Sequence, residues 1–289
     1  MKKKISCICV ILAALLWGCM GILVRTMNEG GLASTEVVTF RCVITGLLML
    51  GGMFLFKREE LKIKWKDLWC FVGTGLFSIV FFNSCYFTCM TYCSLSTAAI
   101  LLYTAPAFVM IMSYFLFKEA FTKAKVGALV LSFAGCVLVS GGFGSEAISM
   151  MGLLTGLGAG FGYALYSIFG RYALERGYSS FTITTYTFLF ASVGCFLITD
   201  TSHLVECLAV CPQMIWKGIF WTVLTTVVAY LLYTKGLSGM EAGRASILAT
   251  VEPVMATFVG FAIFGEKLTA TAVLGVLFVL FSSILAIKK

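Results

Sequence analysis

Ten long apolar stretches follow one another along the chain, parted only by short polar turns. They predict helices at Ile5–Thr26, Ser34–Phe56, Leu68–Met90, Ser94–Phe117, Val126–Gly141, Met150–Tyr172, Ser180–Thr199, Met214–Tyr233, Ala242–Phe264 and Thr269–Ile287. A helix of about 20 mostly apolar residues crosses roughly 30 Å of hydrocarbon, and its backbone groups are satisfied within the segment. The stretches are continuous rather than alternating, which excludes β-barrel strands. The first begins with Lys2, Lys3 and Lys4, as a signal peptide does, but runs on without a small-x-small cleavage site. Trp17 and Gly18 before Cys19 also make a poor lipoprotein box, so this stretch reads as a retained first helix.

The pattern repeats. Thr97–Val126 aligns without a gap on Arg244–Val273 at an offset of 147, with Ala98/Ala245, Ile100/Ile247, Leu101/Leu248, Pro106/Pro253, Phe117/Phe264, Glu119/Glu266, Thr122/Thr269 and Val126/Val273 identical. At an offset of 146, Ala13, Arg25, Gly31 and Ser34 fall on Ala159, Arg171, Gly177 and Ser180. The fold expected is therefore all-α and membrane-integral, with ten transmembrane helices in two five-helix repeats, residues 1–146 and 147–289. Five is odd, so the second repeat crosses the bilayer in the opposite sense. Inverted repeats are an architecture of secondary transporters.

Composition strengthens this reading: 60% of residues are hydrophobic and 12% charged, with a mean hydropathy of +1.01. Such a chain cannot bury its apolar surface in water. Seventeen basic residues fall at the amino end, the carboxyl end (Lys288, Lys289) and alternate turns, against Arg25, Lys217 and Lys267 on the opposite side. That bias predicts both termini in the cytoplasm and a plasma (inner) membrane location. It also accounts for most of the net charge of +8, so no nucleic-acid partner is implied. Most of the 12 cysteines sit in apolar stretches as small hydrophobes, and Cys207 and Cys211 read as free thiols rather than a disulfide. No metal spacing, cofactor motif, Walker loop or His-Glu-x-x-His helix occurs, and His203 falls in a polar outer turn, where it is expected to be solvated. The sequence thus argues against an intramembrane enzyme, leaving a channel or a scaffold as the alternative to a carrier.

Trp17-Gly18, Pro106 with Phe117-Lys118-Glu119 and Thr122, and Glu252-Pro253 with Phe264-Gly265-Glu266-Lys267-Leu268-Thr269 give the chain its likeness. It resembles the EamA-type branch of the drug/metabolite transporter superfamily over nearly its whole length. The resemblance implies ten helices in two inverted halves, a cavity lined from helices 1, 3, 4, 6, 8 and 9, and export of small metabolites, amino acids or drugs. One departure is that Ala105-Pro106 of the first repeat stands where the second has Glu252-Pro253.

The candidate residues follow from this frame. Pro106 and Pro253 each remove a backbone hydrogen bond in mid-helix and are expected to act as hinges. Glu252 is the acid placed deepest in a membrane helix, at a cost of roughly 2.5 to 3.5 kcal/mol unless it is protonated, paired or wet. It is the first choice for a proton-linked or cation-binding group, with a protonated carboxyl on a carbonyl freed by Pro253 as the other reading. Trp17, Asn83, Tyr86, Tyr103, Tyr163, Tyr166, Tyr230 and Tyr233 are expected to line the substrate cavity, since their rings offer apolar faces with polar tips and attract cations. Arg41 is expected to snorkel toward the outer surface, pairing with Glu252 or an anionic substrate being the alternative. Glu119 and Glu266 read as structural turn residues, with Thr122 and Thr269 capping the helices that follow. The stripe Gly152, Gly156, Gly160 is expected to pack within the monomer. Small-molecule substrate, a proton or other coupling ion, and lipid are the partners expected.

Overall fold

The computed structural model describes residues 2–143 and 148–287, and every regular element among them is helical. The repeat boundary expected at 146/147 and the basic pair Lys288 and Lys289 lie outside the described residues. Among the described residues, eight helices are long and apolar enough to cross a membrane: Lys3–Glu29, Ser34–Phe56, Trp65–Tyr92, Leu95–Phe117, Met150–Glu175, Pro212–Leu237, Ala242–Phe264 and Ala270–Ile287. Ser180–Phe196 and Thr201–Val210 form a further pair bent by 103°. The stretch expected at Val126–Gly141 is realised as Lys123–Val139, 17 residues, or about 26 Å at 1.5 Å per residue.

Thr201–Val210 replaces the polar turn expected around His203. The Asp200 carboxylate accepts the backbone N–H groups of Ser202 and His203 at 3.1 and 3.3 Å and so starts a new helix across the end of the bundle. His203 is not simply solvated, because its ring Nδ1 lies 2.8 Å from Glu36 Oε1. Cys207 and Cys211 are free thiols, as expected.

Large apolar side chains face outward, with Leu55, Phe56, Trp216 and Leu197 all more than 70% exposed. The interior, by contrast, gathers glycine, alanine, serine and threonine, which let helices approach closely. A Cβ on Gly156 would stand 2.8 Å from Leu101 Cβ, and one on Gly160 would stand 3.0 Å from Leu101 O, so the glycine stripe packs inside the monomer. The Lys123–Val139 and Ala270–Ile287 helices come close at Gly135 and Gly275, where an added Cβ would meet the other glycine's carbonyl oxygen at 2.8 or 2.7 Å.

Several of the long helices are interrupted, and the interruptions respect the repeat. Leu95–Leu102 gives way to Ala105–Phe117, and Ala242–Ala249 to Glu252–Phe264, with the proline in the first turn of each second segment. Pro106 and Pro253 therefore sit just after a break, because a residue without an N–H is tolerated in a helix's first turn but not inside it. Two π-helical stretches, Gly73–Val80 and Val223–Val228, overlap under the same 147-residue shift.

Polar contacts gather at two ends of the bundle. At one, Glu119 accepts from the amides that open Ala242–Phe264, Lys125 and Arg244 share Glu241, and Arg176 meets Asp67. At the other, beyond the last residue of Ala242–Phe264, Arg25 pairs with Glu266. The Glu119 and Glu266 turns thus lie at opposite ends of one 23-residue helix, roughly 34 Å apart.

Candidate functional site

The breaks in Leu95–Phe117 and Ala242–Phe264 bring Tyr103 and Glu252 to a common space against Trp17 of the first helix. A cavity of about 350 Å³ runs from Trp17, Tyr103 and Glu252 outward past Pro253 and Ala256 to Arg25 and Glu266. Trp17 is 7% exposed, whereas the side chains of Arg25 and Glu266 are 50% and 53% exposed, which sets the deep end and the mouth. Gly18 makes the cavity wall possible: a Cβ there would stand 2.6 Å from Glu252 O and 2.6 Å from Met255 Cβ. The Trp17-Gly18 pair thereby gains a physical reason.

Two narrow spaces continue inward. One is bounded by Tyr103, Pro106, Tyr163, Ser246 and Glu252, the other by Trp17, Phe82, Tyr163, Tyr166, Tyr230 and Tyr233. The Trp17 ring packs on Tyr163, Tyr230 and Tyr233 at centroid distances of 6.2, 5.2 and 5.0 Å. Tyr233 and Ser167 hydroxyls meet at 2.7 Å, as do those of Tyr166 and Thr234, so these rings are fixed. Trp17 Nε1 is buried and has no hydrogen-bond partner among the described residues. A donor left open beside a cavity is costly unless something enters to accept from it.

Glu252 receives, among the described residues, one hydrogen bond, from the Tyr163 hydroxyl at 3.3 Å. Among the described residues no basic side chain forms an ion pair with it. A buried acid between ring faces and without an ion-paired base suits a proton or an organic or metal cation arriving through the cavity.

Seven expected residues, Trp17, Tyr103, Tyr163, Tyr166, Tyr230, Tyr233 and Glu252, surround these spaces. Asn83 and Tyr86 do not line them. Asn83 Nδ2 is occupied by Ile79 O of its own helix at 2.7 Å, and Tyr86 packs on Phe82 and Phe87. Arg41 does not snorkel: it is 6% exposed, and its Nη1 donates to Met20 Sδ at 3.3 Å. The reason is the facing of its helix, whose neighbours Phe40 and Cys42 are also buried. Met20, Gly21 and Arg25 line the cavity without having been singled out for it, and only the Arg25/Arg171 correspondence hinted at a role.

Outside the membrane segments, the Glu36 carboxylate raises the His203 pKa above its ordinary 6.5, through the hydrogen bond first and the charge second. Glu60 is lowered, first by the Ser179 hydroxyl and then by Lys57.

The family comparison agrees with the duplication. The model of the EamA-like transporter family matches residues 4–141 and again 150–288. An "Uncharacterized transporter" of Archaeoglobus fulgidus is 26% identical over 258 residues, 89% of this chain and 90% of the relative. The "Uncharacterized transporter YwfM" of Bacillus subtilis is 24% identical over 283 residues, 96% of this chain and 91% of the relative. A solved protein crystal structure superposes with a TM-score of 0.78 over 97% of this chain and 96% of that one, at 16% identity, a likeness of fold alone. Matched twice along its length by one family model, the chain belongs to the EamA-like transporter family.

Proposed function

We propose that this membrane transporter is a secondary carrier of small organic molecules, working by alternating access between two inverted five-helix halves, with export as the expected direction. Lys123–Val139 and Ser180–Phe196 supply the ninth and tenth crossings, short as they are, because bilayer thinning and snorkelling of flanking residues accommodate a few ångströms of mismatch. The cavity from Trp17 to Glu266 then opens on the outer side, since Arg25 and Lys267 belong to the side poor in basic residues.

The observation that carries the reading is Glu252: an acid without a basic partner, at a helix break, at the deep end of a 350 Å³ cavity walled by Trp17 and Tyr103. It serves as the group that alternately holds a proton or a cationic group of the substrate. Pro106 and Pro253 are placed where each half bends, so the breaks act as hinges of the rocking motion.

Purified protein in liposomes, tested with radiolabelled amino acids, purines and cationic drugs under an imposed pH gradient, decides the matter. The expected result is saturable flux and counterflow for at least one class, reduced about tenfold or more in Glu252→Gln, which loses a charged partner. Unsaturated conductance, or saturable flux indifferent to Glu252→Gln, overturns the proposal.

A further inference from the structure

The two repeats carry the same turn with different partners. Lys118 and Gly265, equivalent at an offset of 147, both adopt left-handed backbone, with φ of 57° and 66°. The next N–H in each reaches back across the turn, Glu119 to Ser113 O at 3.2 Å and Glu266 to Gly260 O at 3.0 Å. Glu119 and Glu266 therefore leave their helices from equivalent places, but their carboxylates do different things.

Glu119 crosses to the other half. Its two oxygens accept the N–H groups of Ala242 and Gly243 at 2.7 and 3.1 Å. Arg171 takes the same segment from its carbonyl side, donating to Leu237 O and Met240 O at 3.3 and 2.9 Å, and is itself steadied by Glu175 at 2.9 Å. An acid on the amides and a base on the carbonyls grip the stretch 237–243 and tie the two halves together at this end, beside a separate space of about 630 Å³ between Lys57, Tyr178, Phe181, Leu231 and Lys235. Around the grip, Ala242–Ala249 packs along Ala105–Phe117.

Every part of that grip has a counterpart at the open end. The stretch 237–243 corresponds to 90–96, so the matching acceptors are the carbonyls of Met90 and Cys93 and the matching donors the amides of Leu95 and Ser96. Arg171 and Glu175 correspond, at 146, to Arg25 and Glu29. Here, however, Glu266 lies back over Gly260 of its own helix and pairs with Arg25, which stacks 3.9 Å from the Phe264 ring centroid. Leu95 is 64% exposed. Acid and base are engaged with each other at the cavity mouth, and the stretch they would grip is free of them.

We propose that Arg25 and Glu266 are an undone latch, the inverted copy of the closed latch Arg171–Glu119. In the opposite state of the carrier they separate: Glu266 accepts from Leu95 and Ser96, Arg25 donates to Met90 and Cys93 and rests on Glu29, and the cavity mouth shuts. Glu119 and Arg171 meanwhile release 237–243 and pair with each other. No covalent change is involved. Charge-assisted hydrogen bonds to helix-end amides and loop carbonyls are exchanged for a solvent-exposed ion pair at each end in turn. The inference deepens the alternating-access reading and rests on it.

The test needs no knowledge of the substrate. A single cysteine at cavity residue Ala256, in full-length protein with its reactive native thiols replaced, is labelled in oriented vesicles by a membrane-impermeant thiol reagent. Glu119→Gln weakens the closed latch and is expected to slow labelling from the outer side. Glu266→Gln weakens the alternative closure more than it weakens the solvent-exposed pair with Arg25, and is expected to speed it. Each latch is worth roughly a 5- to 30-fold change in population, the difference between charged hydrogen bonds and an exposed pair, although a state already dominant gains less in rate. As a second measurement with Arg25, Glu266, Arg171 and Glu119 all in place, Ser96→Cys with Thr257→Cys, whose counterparts Gly243 and Met110 come together at the gripped end, is expected to cross-link under mild oxidation and to abolish outer labelling. Shifts in the same direction, no shift in either variant, or no cross-link overturns the latch. Opposite shifts in a protein that gives no saturable flux support the latch while the transport reading fails. Flux without the shifts has the reverse meaning.

Discussion

Replacing Gly18 by alanine adds one methyl group at the point where the first helix crosses the break before Pro253. The added Cβ would lie 2.6 Å from Glu252 O, 2.6 Å from Met255 Cβ and 2.9 Å from Ala256 N. None of these atoms is the far end of a flexible side chain, so the Glu252–Phe264 segment itself has to move. Overpacking of this kind costs about 1–3 kcal/mol, set against the 0.5–1 kcal/mol or so that alanine gains over glycine in a helix. Three residues on, Gly21 lines the same cavity, but a Cβ there meets nothing within 4 Å. Gly21→Ala is therefore expected to stabilise by roughly 0.5–1 kcal/mol, while Gly18→Ala destabilises by about 0.5–2 kcal/mol net. Thermal unfolding of the two purified variants in one detergent, followed by tryptophan fluorescence, reads opposite signs relative to the parent. Equal shifts, or a Gly18→Ala protein more stable than the parent, would refute the close approach and with it the placing of Glu252.

Further expectations are open to simple measurements. Because the His203 pKa is raised in the folded protein by Glu36, protonation stabilises: the contribution is complete below about pH 6.5 and fades as pH climbs through the higher folded value. Melting curves between pH 5.5 and 8.5 should show that loss in the parent and a flatter profile in His203→Gln. Gly135→Leu and Gly275→Leu force apart helices whose backbones nearly touch, so each should lower stability by about 1–3 kcal/mol or more, read as monodisperse yield on size-exclusion chromatography. Pro106→Ala and Pro253→Ala restore a helical donor at the breaks, and slower flux with undiminished ligand-induced thermal shift is the outcome expected of hinges; unchanged rates in both would end that idea.

Periodicity and repetition carried far into the fold. The repeat was legible because glutamate, proline and threonine recur at fixed offsets, and the same offset lands on left-handed turns at Lys118 and Gly265 and on breaks before Pro106 and Pro253. The aromatic ring of the site was legible in part, since tyrosines far from helix ends need somewhere polar to point. Asn83 misled because an amide in a membrane helix can satisfy itself on the carbonyl one turn back. Arg41 misled because hydropathy sees how deep a residue lies but not which way it faces. The matched π-helical stretches carry no proline or other mark and were out of reach of sequence reading. Glu119 was readable as a turn residue, yet its grip on Ala242 spans 123 positions and belongs to tertiary structure alone.

The central claim is that two related halves stand upside down to one another about a shared cavity, and its most direct test is sidedness. Single cysteines in place of Lys118 and of Lys267, in full-length protein with its reactive native thiols removed, are exposed to an impermeant maleimide in intact cells and again after permeabilisation. The account predicts that the Lys267 position labels in intact cells and the Lys118 position only after permeabilisation. Labelling of both from the same side would contradict it.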